Sequence, residues 1–241
     1  MRVEDVRNYF IEELQAQRFV TDKTGVKTIE LVGASFIADE PMIFGKPNAD
    51  YIERELAWYK SMSLLVDDIP GDTPQIWEDI SSDGGYINSN YGYLIYHPGN
   101  HVQYSHVLQE LLDNPNSRRA VMIYTRPTIW KEYDHDHMSD FICTNAVQYM
   151  IRDGRMHAVV QMRSNDAWAG YRNDYAWQEY VLKQLVEEYN DITDSELEIG
   201  DITWQVGNLH LYQSQFYLIE AYIEMGRPDV TLAEYKKTKK L

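Results

Sequence analysis

The sequence predicts an α+β fold built as a single domain over residues 1–241. Three observations predict it. Apolar residues recur at helical spacing in five segments and at strand-like density in five others. The strands fall in adjacent hairpin-like pairs with no regular strand–helix alternation, which disfavours a doubly wound nucleotide-binding sheet. Turn signals are spread evenly, at Gly71-Asp72-Thr73-Pro74, Asp83-Gly84-Gly85, His97-Pro98-Gly99-Asn100 and Asp153-Gly154, with no internal repeat or low-complexity linker. A chain that is 44% hydrophobic and 13% aromatic can bury one sizeable core at this length.

In chain order, acidic amphipathic sequence predicts a helix over 2–17, and the β-rich run over 26–38 predicts a strand. A helix over 50–65 places Ile52, Leu56, Tyr59 and Met62 on one stripe. A further helix fits 101–112, and an apolar strand over 120–125 follows the turn-forming Asn114-Pro115-Asn116-Ser117. Strands over 142–152 and 156–164 flank Asp153-Gly154, a dipeptide suited to a tight hairpin. A helix over 173–190, a strand over 201–211 and a helix over 212–225 complete the set, and Lys236, Lys237, Lys239 and Lys240 read as a solvated tail.

Lys and Arg number 22 against 38 Asp and Glu, a net charge of −16 that argues against a surface built to neutralise a nucleic-acid backbone. A small anion remains compatible, because a few directed hydrogen bonds in a pocket outweigh a screened global field. No stretch approaches the roughly 18 apolar residues of a membrane span. The start, Met1-Arg2-Val3-Glu4-Asp5, does not read as a secretory signal, so the lone thiol of Cys143 is expected in the reducing cytoplasm. Gly25-Val26-Lys27-Thr28 lacks the first glycine of a phosphate loop.

Three local patterns suggest a site. Glu55 falls inside the apolar stripe of its helix. It is either a boundary residue reaching solvent or a desolvated carboxylate suited to acid–base work or to holding a water. Cys143, across a hairpin closed at Asp153-Gly154, pairs by register with Ser164 and sits beside Arg163. A cation and a hydroxyl favour thiolate over the alternative of a small buried hydrophobe. Arg118-Arg119, at the entrance of a strand, can fork onto a phosphate or can simply occupy a solvated turn. His135-Asp136-His137 sits in a polar loop with no third ligand at a recognisable spacing, and no metal is expected.

Together these residues resemble the thymidylate synthase superfamily over nearly the whole chain. Lys23-Thr24-Gly25 is similar to the N-terminal phosphate loop, with Lys in place of the usual Arg. Arg54-Glu55-Leu56-Ala57-Trp58 is similar to the glutamate helix, and Ile76-Trp77 with Tyr91-Gly92 to the folate-side segment. Ser117-Arg118-Arg119 resembles the arginine pair that reaches the neighbouring subunit's phosphate. Cys143, then Arg163-Ser164 and Asp166, then Gly207-Asn208-Leu209-His210-Leu211-Tyr212, resemble the nucleophile, phosphate and sugar segments.

The departures are informative. Phe141-Ile142-Cys143 replaces Pro-Pro-Cys, the chain ends in lysines instead of an apolar tail, and Gly170-Tyr171-Arg172-Asn173-Asp174 puts Asp174 where the uracil-reading asparagine normally sits. These changes resemble the phage deoxycytidylate hydroxymethylase branch. Uracil presents an N–H and a carbonyl that an amide complements, whereas cytosine presents an acceptor and an amino donor that a carboxyl matches through one shared proton. Asn173, one residue earlier, is the competing reader.

The resemblance implies an obligate homodimer of thymidylate synthase-like subunits that hydroxymethylates dCMP. The one-carbon donor would be 5,10-methylenetetrahydrofolate, and the product a precursor for modified DNA. It implies Cys143 as nucleophile, Glu55 for water and proton transfers, and Asp174 on the base. His210 and Tyr212 would hold the sugar, Lys23, Arg163, Ser164 and the partner's arginines the phosphate, and Trp77, Asp166 and Glu55 would face the folate. A dUMP-directed enzyme and a catalytically silent nucleotide- or RNA-binding relative are the competing readings.

Overall fold

The computed structural model describes residues 1–22 and 25–239. The elements run α1 (Val3–Gln15), β1 (Val20–Thr21), β2 (Lys27–Ile37), α2 (Ala49–Ser61), α3 (Gln75–Ile80), α4 (Tyr91–Tyr96), α5 (Gln103–Asp113), β3 (Val121–Ile123), α6 (Ile129–Glu132), β4 (Thr144–Arg152), β5 (Arg155–Asp166), α7 (Ala169–Thr193), β6 (Glu198–Tyr212), α8 (Phe216–Met225) and α9 (Leu232–Thr238). The strands form one six-stranded sheet in the order β1-β2-β6-β5-β4-β3, so the fold is α+β as the sequence predicts. Asp153 (φ 51°) and Gly154 (φ 74°) both lie in the left-handed region, the signature of a two-residue type I′ turn, so β4 and β5 form the expected hairpin.

The described residues form two compact units, one from 1–48, 162–180 and 201 onward, the other from 49–161 and 181–200. In the first unit β2 and β6 pair antiparallel from Thr28↔Tyr212 to Ile37↔Thr203. Along β6, Ile202, Trp204 and Val206 are buried, the alternation changes phase at Gly207, and beyond it Leu209 and Leu211 are buried while His210 and Tyr212 are half-buried. Gly207 faces a close approach, since a Cβ there would lie 2.8 Å from the Arg163 carbonyl oxygen. That glycine lets β5 run tight against β6, which sets the backbone of Arg163. Helix α1 buries Val3, Val6 and Phe10, and its Arg7 is bound by both carboxylate oxygens of Glu40 at 2.7 Å and by the carbonyls of Met42 and Ile43.

In the second unit α2 packs directly on α4. A Cβ at Gly92 would lie 1.8 Å from the Tyr59 carbonyl oxygen, so only glycine permits this approach. Asn90, fully buried, caps α4 by accepting from the Tyr93 N–H at 2.8 Å and donates to the carbonyls of Trp58 and Ser63. Stacked and edge-on rings run from Trp77 through Trp58, Tyr59 and Tyr91 to Tyr124, each pair 5.2–5.4 Å apart.

Boundaries differ from the expectation where side chains override periodicity. Helix α7 starts at 169 and not 173 because the Asp166 carboxylate accepts from the N–H groups of Trp168, Ala169 and Gly170. Tyr212 ends β6, and the following helix begins at Phe216. Lys236 and Lys237 are exposed on α9 and Lys239 follows it, while Lys240 lies outside the described residues. A Thr231/Glu234 capping box starts that helix, and Tyr235 is buried in a small cluster with Ala221 and Val230.

Candidate active site

Glu55 is 5% exposed, more buried than the apolar residues Ile52 and Leu56 of its own helix. The buried face of α2 is Glu55, Trp58 and Tyr59, rotated from the aliphatic stripe that spacing suggested. Tyr51, one turn earlier, donates its hydroxyl to Glu55 Oε1 at 2.6 Å, and the Trp77 indole N–H donates to the Tyr51 hydroxyl at 2.8 Å. Burial pushes the Glu55 carboxyl from 4.5 up to about 7, with the Tyr51 and Trp77 hydrogen bonds pulling the other way. A carboxyl with a pKa near neutrality can take and return a proton in one catalytic cycle.

Cys143, the single cysteine, is half-buried immediately before β4, with its Sγ 3.9 Å from the Phe141 carbonyl. Both flanks of its segment are anchored. Three residues earlier, buried Asp140 accepts from the N–H groups of Asn88 and Ser89 and from the Ser89 hydroxyl. One residue later, the Thr144 hydroxyl donates to the Tyr91 hydroxyl at 3.0 Å. The nucleophile candidate is therefore held by the same α4 segment that supports the glutamate helix. In the same unit Arg118 is exposed, and the exposed Arg119 pairs with Glu110 at 3.0 Å across solvent-accessible surface. Such a pair is weak and readily exchanged for an anion.

The first unit collects the other candidates. Arg163 and Ser164 lie near the end of β5, the former exposed and the latter half-buried. Asp166 caps α7, so its carboxylate is occupied by backbone N–H groups. Asp174, in the second turn of α7, accepts from the Asn165 amide at 2.7 Å. Asn173 is half-buried, and its Oδ1 is buried with no hydrogen-bond partner. His210 and Tyr212 stand two apart on β6 with rings 5.0 Å apart and nearly perpendicular. Lys23 lies outside the described residues.

Sequence reasoning missed Tyr51, Asn90, Asp140 and Asn165, whose importance comes from partners distant in the chain or hidden by helical phase. Tyr51 alone was findable, four residues before Glu55 and thus on the same helical face. Among the described residues, Asp83, Asp136 and His137 bring donor atoms within 4.8 Å of one another. All three are exposed, and His137 already pairs with Asp83 at 2.9 Å. No described helix is long and apolar enough to cross a membrane.

The chain belongs to the thymidylate synthase family, whose model matches residues 12–240. Within that family it is 53% identical over 238 residues to the deoxycytidylate 5-hydroxymethyltransferase of Enterobacteria phage T6, covering 98% of this chain and 96% of the relative. It is also 53% identical over 237 residues, with the same coverage, to the enzyme of that name from Enterobacteria phage T4. Similarity to a thymidylate synthase of Vesicomyosocius okutanii is lower, 23% over 235 residues, covering 92% of this chain and 83% of the relative.

Proposed function

We propose that the chain is a deoxycytidylate 5-hydroxymethyltransferase, converting dCMP, water and 5,10-methylenetetrahydrofolate to 5-hydroxymethyl-dCMP and tetrahydrofolate. Near full-length identity of 53% to phage enzymes of that name supports the reading. The observation in the fold that carries it is a carboxylate, Asp174, tethered by a buried amide in the segment where synthases place a uracil-reading asparagine. A carboxyl sharing one proton with N3 and accepting from the 4-amino group matches cytosine, and the unpaired groups left with uracil discriminate against it.

Bound 5,10-methylenetetrahydrofolate supplies the one-carbon unit. The aromatic wall ending at half-buried Trp77, with Glu55 behind it, suits a flat heterocycle with a polar edge. Cys143 Sγ adds to C6 of the pyrimidine, which makes C5 nucleophilic toward the one-carbon unit. Loss of the C5 proton to Glu55 with departure of tetrahydrofolate leaves an exocyclic methylene, to which Glu55 delivers water, and release of the thiolate restores the ring. Asp174 orients the base. Arg163 and Ser164 bind the phosphate with Lys23 and with Arg118 and Arg119 of a second subunit, so the working enzyme is a homodimer of single-domain subunits. His210 and Tyr212 hold the deoxyribose, and Asp166 acts on the folate side by fixing the start of α7. A reactive thiol and a free nucleotide substrate suit the cytoplasm, where the product would feed synthesis of modified DNA.

Incubation with methylenetetrahydrofolate and either dCMP or dUMP tests the proposal. Hydroxymethyl-dCMP with tetrahydrofolate is the expected pair of products; dTMP with dihydrofolate would overturn it.

A further inference from the structure

Glu110, in the last turn of α5, gathers the segment that leads into β3. Its Oε1 accepts from the Ser117 hydroxyl at 2.5 Å and from Arg119 Nε and Nη2 at 3.1 and 3.0 Å, and its Oε2 stands 3.4 Å from the same Nη2. Ser117 is buried, and its Oγ accepts in turn from the Arg119 backbone N–H at 3.0 Å. The flanking backbone is fixed as well: Gln148 donates to the Arg118 carbonyl and the Val121 N–H to the Arg119 carbonyl, each at 2.8 Å. The Ser117 and Arg119 hydrogen bonds hold the Glu110 carboxyl below its ordinary value, so it remains an acceptor at neutral pH.

How the guanidinium is held decides what it can do. Glu110 takes the Nε edge, while Nη1 has no partner among the described residues and the side chain as a whole is 80% exposed. A guanidinium carries five N–H donors in one rigid plane, so fixing one edge fixes the direction of the other. The second edge, Nη1 with the outer hydrogen of Nη2, is a bidentate fork for a phosphate. An incoming phosphate exchanges only the Nη2 contacts and leaves Nε on Oε1.

We propose that Glu110 is a positioning residue for nucleotide binding: by gripping the Nε edge of Arg119 it presents the other edge to the monophosphate in the neighbouring subunit's site. This rests on Arg119 reaching that site. A pair this exposed adds little to stability, and its effect is on direction. A long side chain already narrowed to one arrangement loses less conformational freedom when the phosphate binds. The exposed side chain of Arg118 makes no ion pair among the described residues, so of the two arginines Arg119 is the one set in advance.

Subunit mixing tests this. A Cys143→Ser subunit supplies arginines but no thiol, an Arg118→Ala/Arg119→Ala subunit supplies a thiol but no arginines, and only their mixed dimer has a complete site. KM for dCMP is measured, because it does not depend on how much mixed dimer forms. Glu110→Gln in the Cys143→Ser subunit is expected to raise KM roughly 3- to 10-fold, with Vmax little changed at the same mixing ratio. That is less than the loss of a whole hydrogen bond to a charged group, because Arg119 itself remains. The same substitution in the Arg118→Ala/Arg119→Ala subunit is expected to change nothing, since no arginine is left there to position. Where Glu110→Gln subunits do not fold, Glu110→Asp, which keeps the charge but withdraws it by one methylene, carries the same comparison with the same expected sign. Equal increases in KM from either subunit mark a general structural role and overturn the inference. An unchanged KM, or a lower one as from removing a carboxylate that competes with phosphate, also overturns it. If the mixture lacking any Glu110 substitution stays inactive after confirmed subunit exchange, the shared-site reading itself falls, and the inference with it.

Discussion

Replacing Glu55 by Gln removes an ionisable carboxyl from a fully buried position while keeping its shape and its ability to accept from Tyr51. In the fold this carboxyl titrates at about 7 and not at 4.5, chiefly because burial disfavours the charged form. A raised carboxyl favours the protonated fold. Its contribution is fully present below 4.5, erodes as pH rises, and is lost once pH passes about 7. At ~1.36 kcal/mol per pH unit, the ionised wild-type residue costs the fold roughly 3 kcal/mol above neutrality. Glu55→Gln should therefore match the wild type near about pH 4.5 and exceed it by up to roughly 3 kcal/mol near about pH 8. Urea unfolding at fixed subunit concentration across that range measures it. Hydroxymethylation should fall sharply in the same variant at every pH. Stability curves that stay parallel from acid to alkaline pH would refute a carboxyl with this pKa and with it the acid–base role.

Further expectations follow from neighbouring contacts. Tyr51→Phe removes a donor that holds the Glu55 carboxyl down, so the limb of the kcat–pH profile assigned to Glu55 should move alkaline by about one pH unit; an unmoved limb would detach Tyr51 from the site. Gly92→Ala places a methyl 1.8 Å from the Tyr59 carbonyl, and α2 must shift. A loss of about 3 kcal/mol or more in chemical denaturation is expected. A Cys143→Ser subunit mixed with an Arg118→Ala/Arg119→Ala subunit should regain partial activity if sites are shared between subunits. No recovery after confirmed subunit exchange would count against the shared site.

Much of the architecture was legible because long elements carry strong periodic signals. The five expected helices and five expected strands are all present, and Asp153-Gly154 marks its hairpin turn because few other dipeptides adopt two successive positive φ values at low cost. The short helices α3, α4, α6 and α9 went unseen, each being seven residues or fewer and held by caps or by packing. Glu55 was visible as a charge in an apolar stripe, yet its depth was not. The choice between a boundary residue and a desolvated one was decided by the tertiary burial of Glu55, where Tyr51, itself accepting from Trp77, donates to the carboxylate.

By itself the sequence determined the class of fold, the family and the residue types available for chemistry: one thiol, a glutamate in a helix, and a carboxylate where an amide is usual. Those properties are local, written in spacing and in residue identity. Only the tertiary structure decided how each group is tuned. Glu55 owes its raised pKa to burial, against the pull of hydrogen bonds from Tyr51 and Trp77, Cys143 owes its fixed flanks to Asp140 and Thr144, and Asp174 accepts from an amide on β5 whose oxygen accepts from an indole on β6. Desolvation and hydrogen-bond direction are set by groups brought together from distant positions, and linear spacing does not encode that convergence.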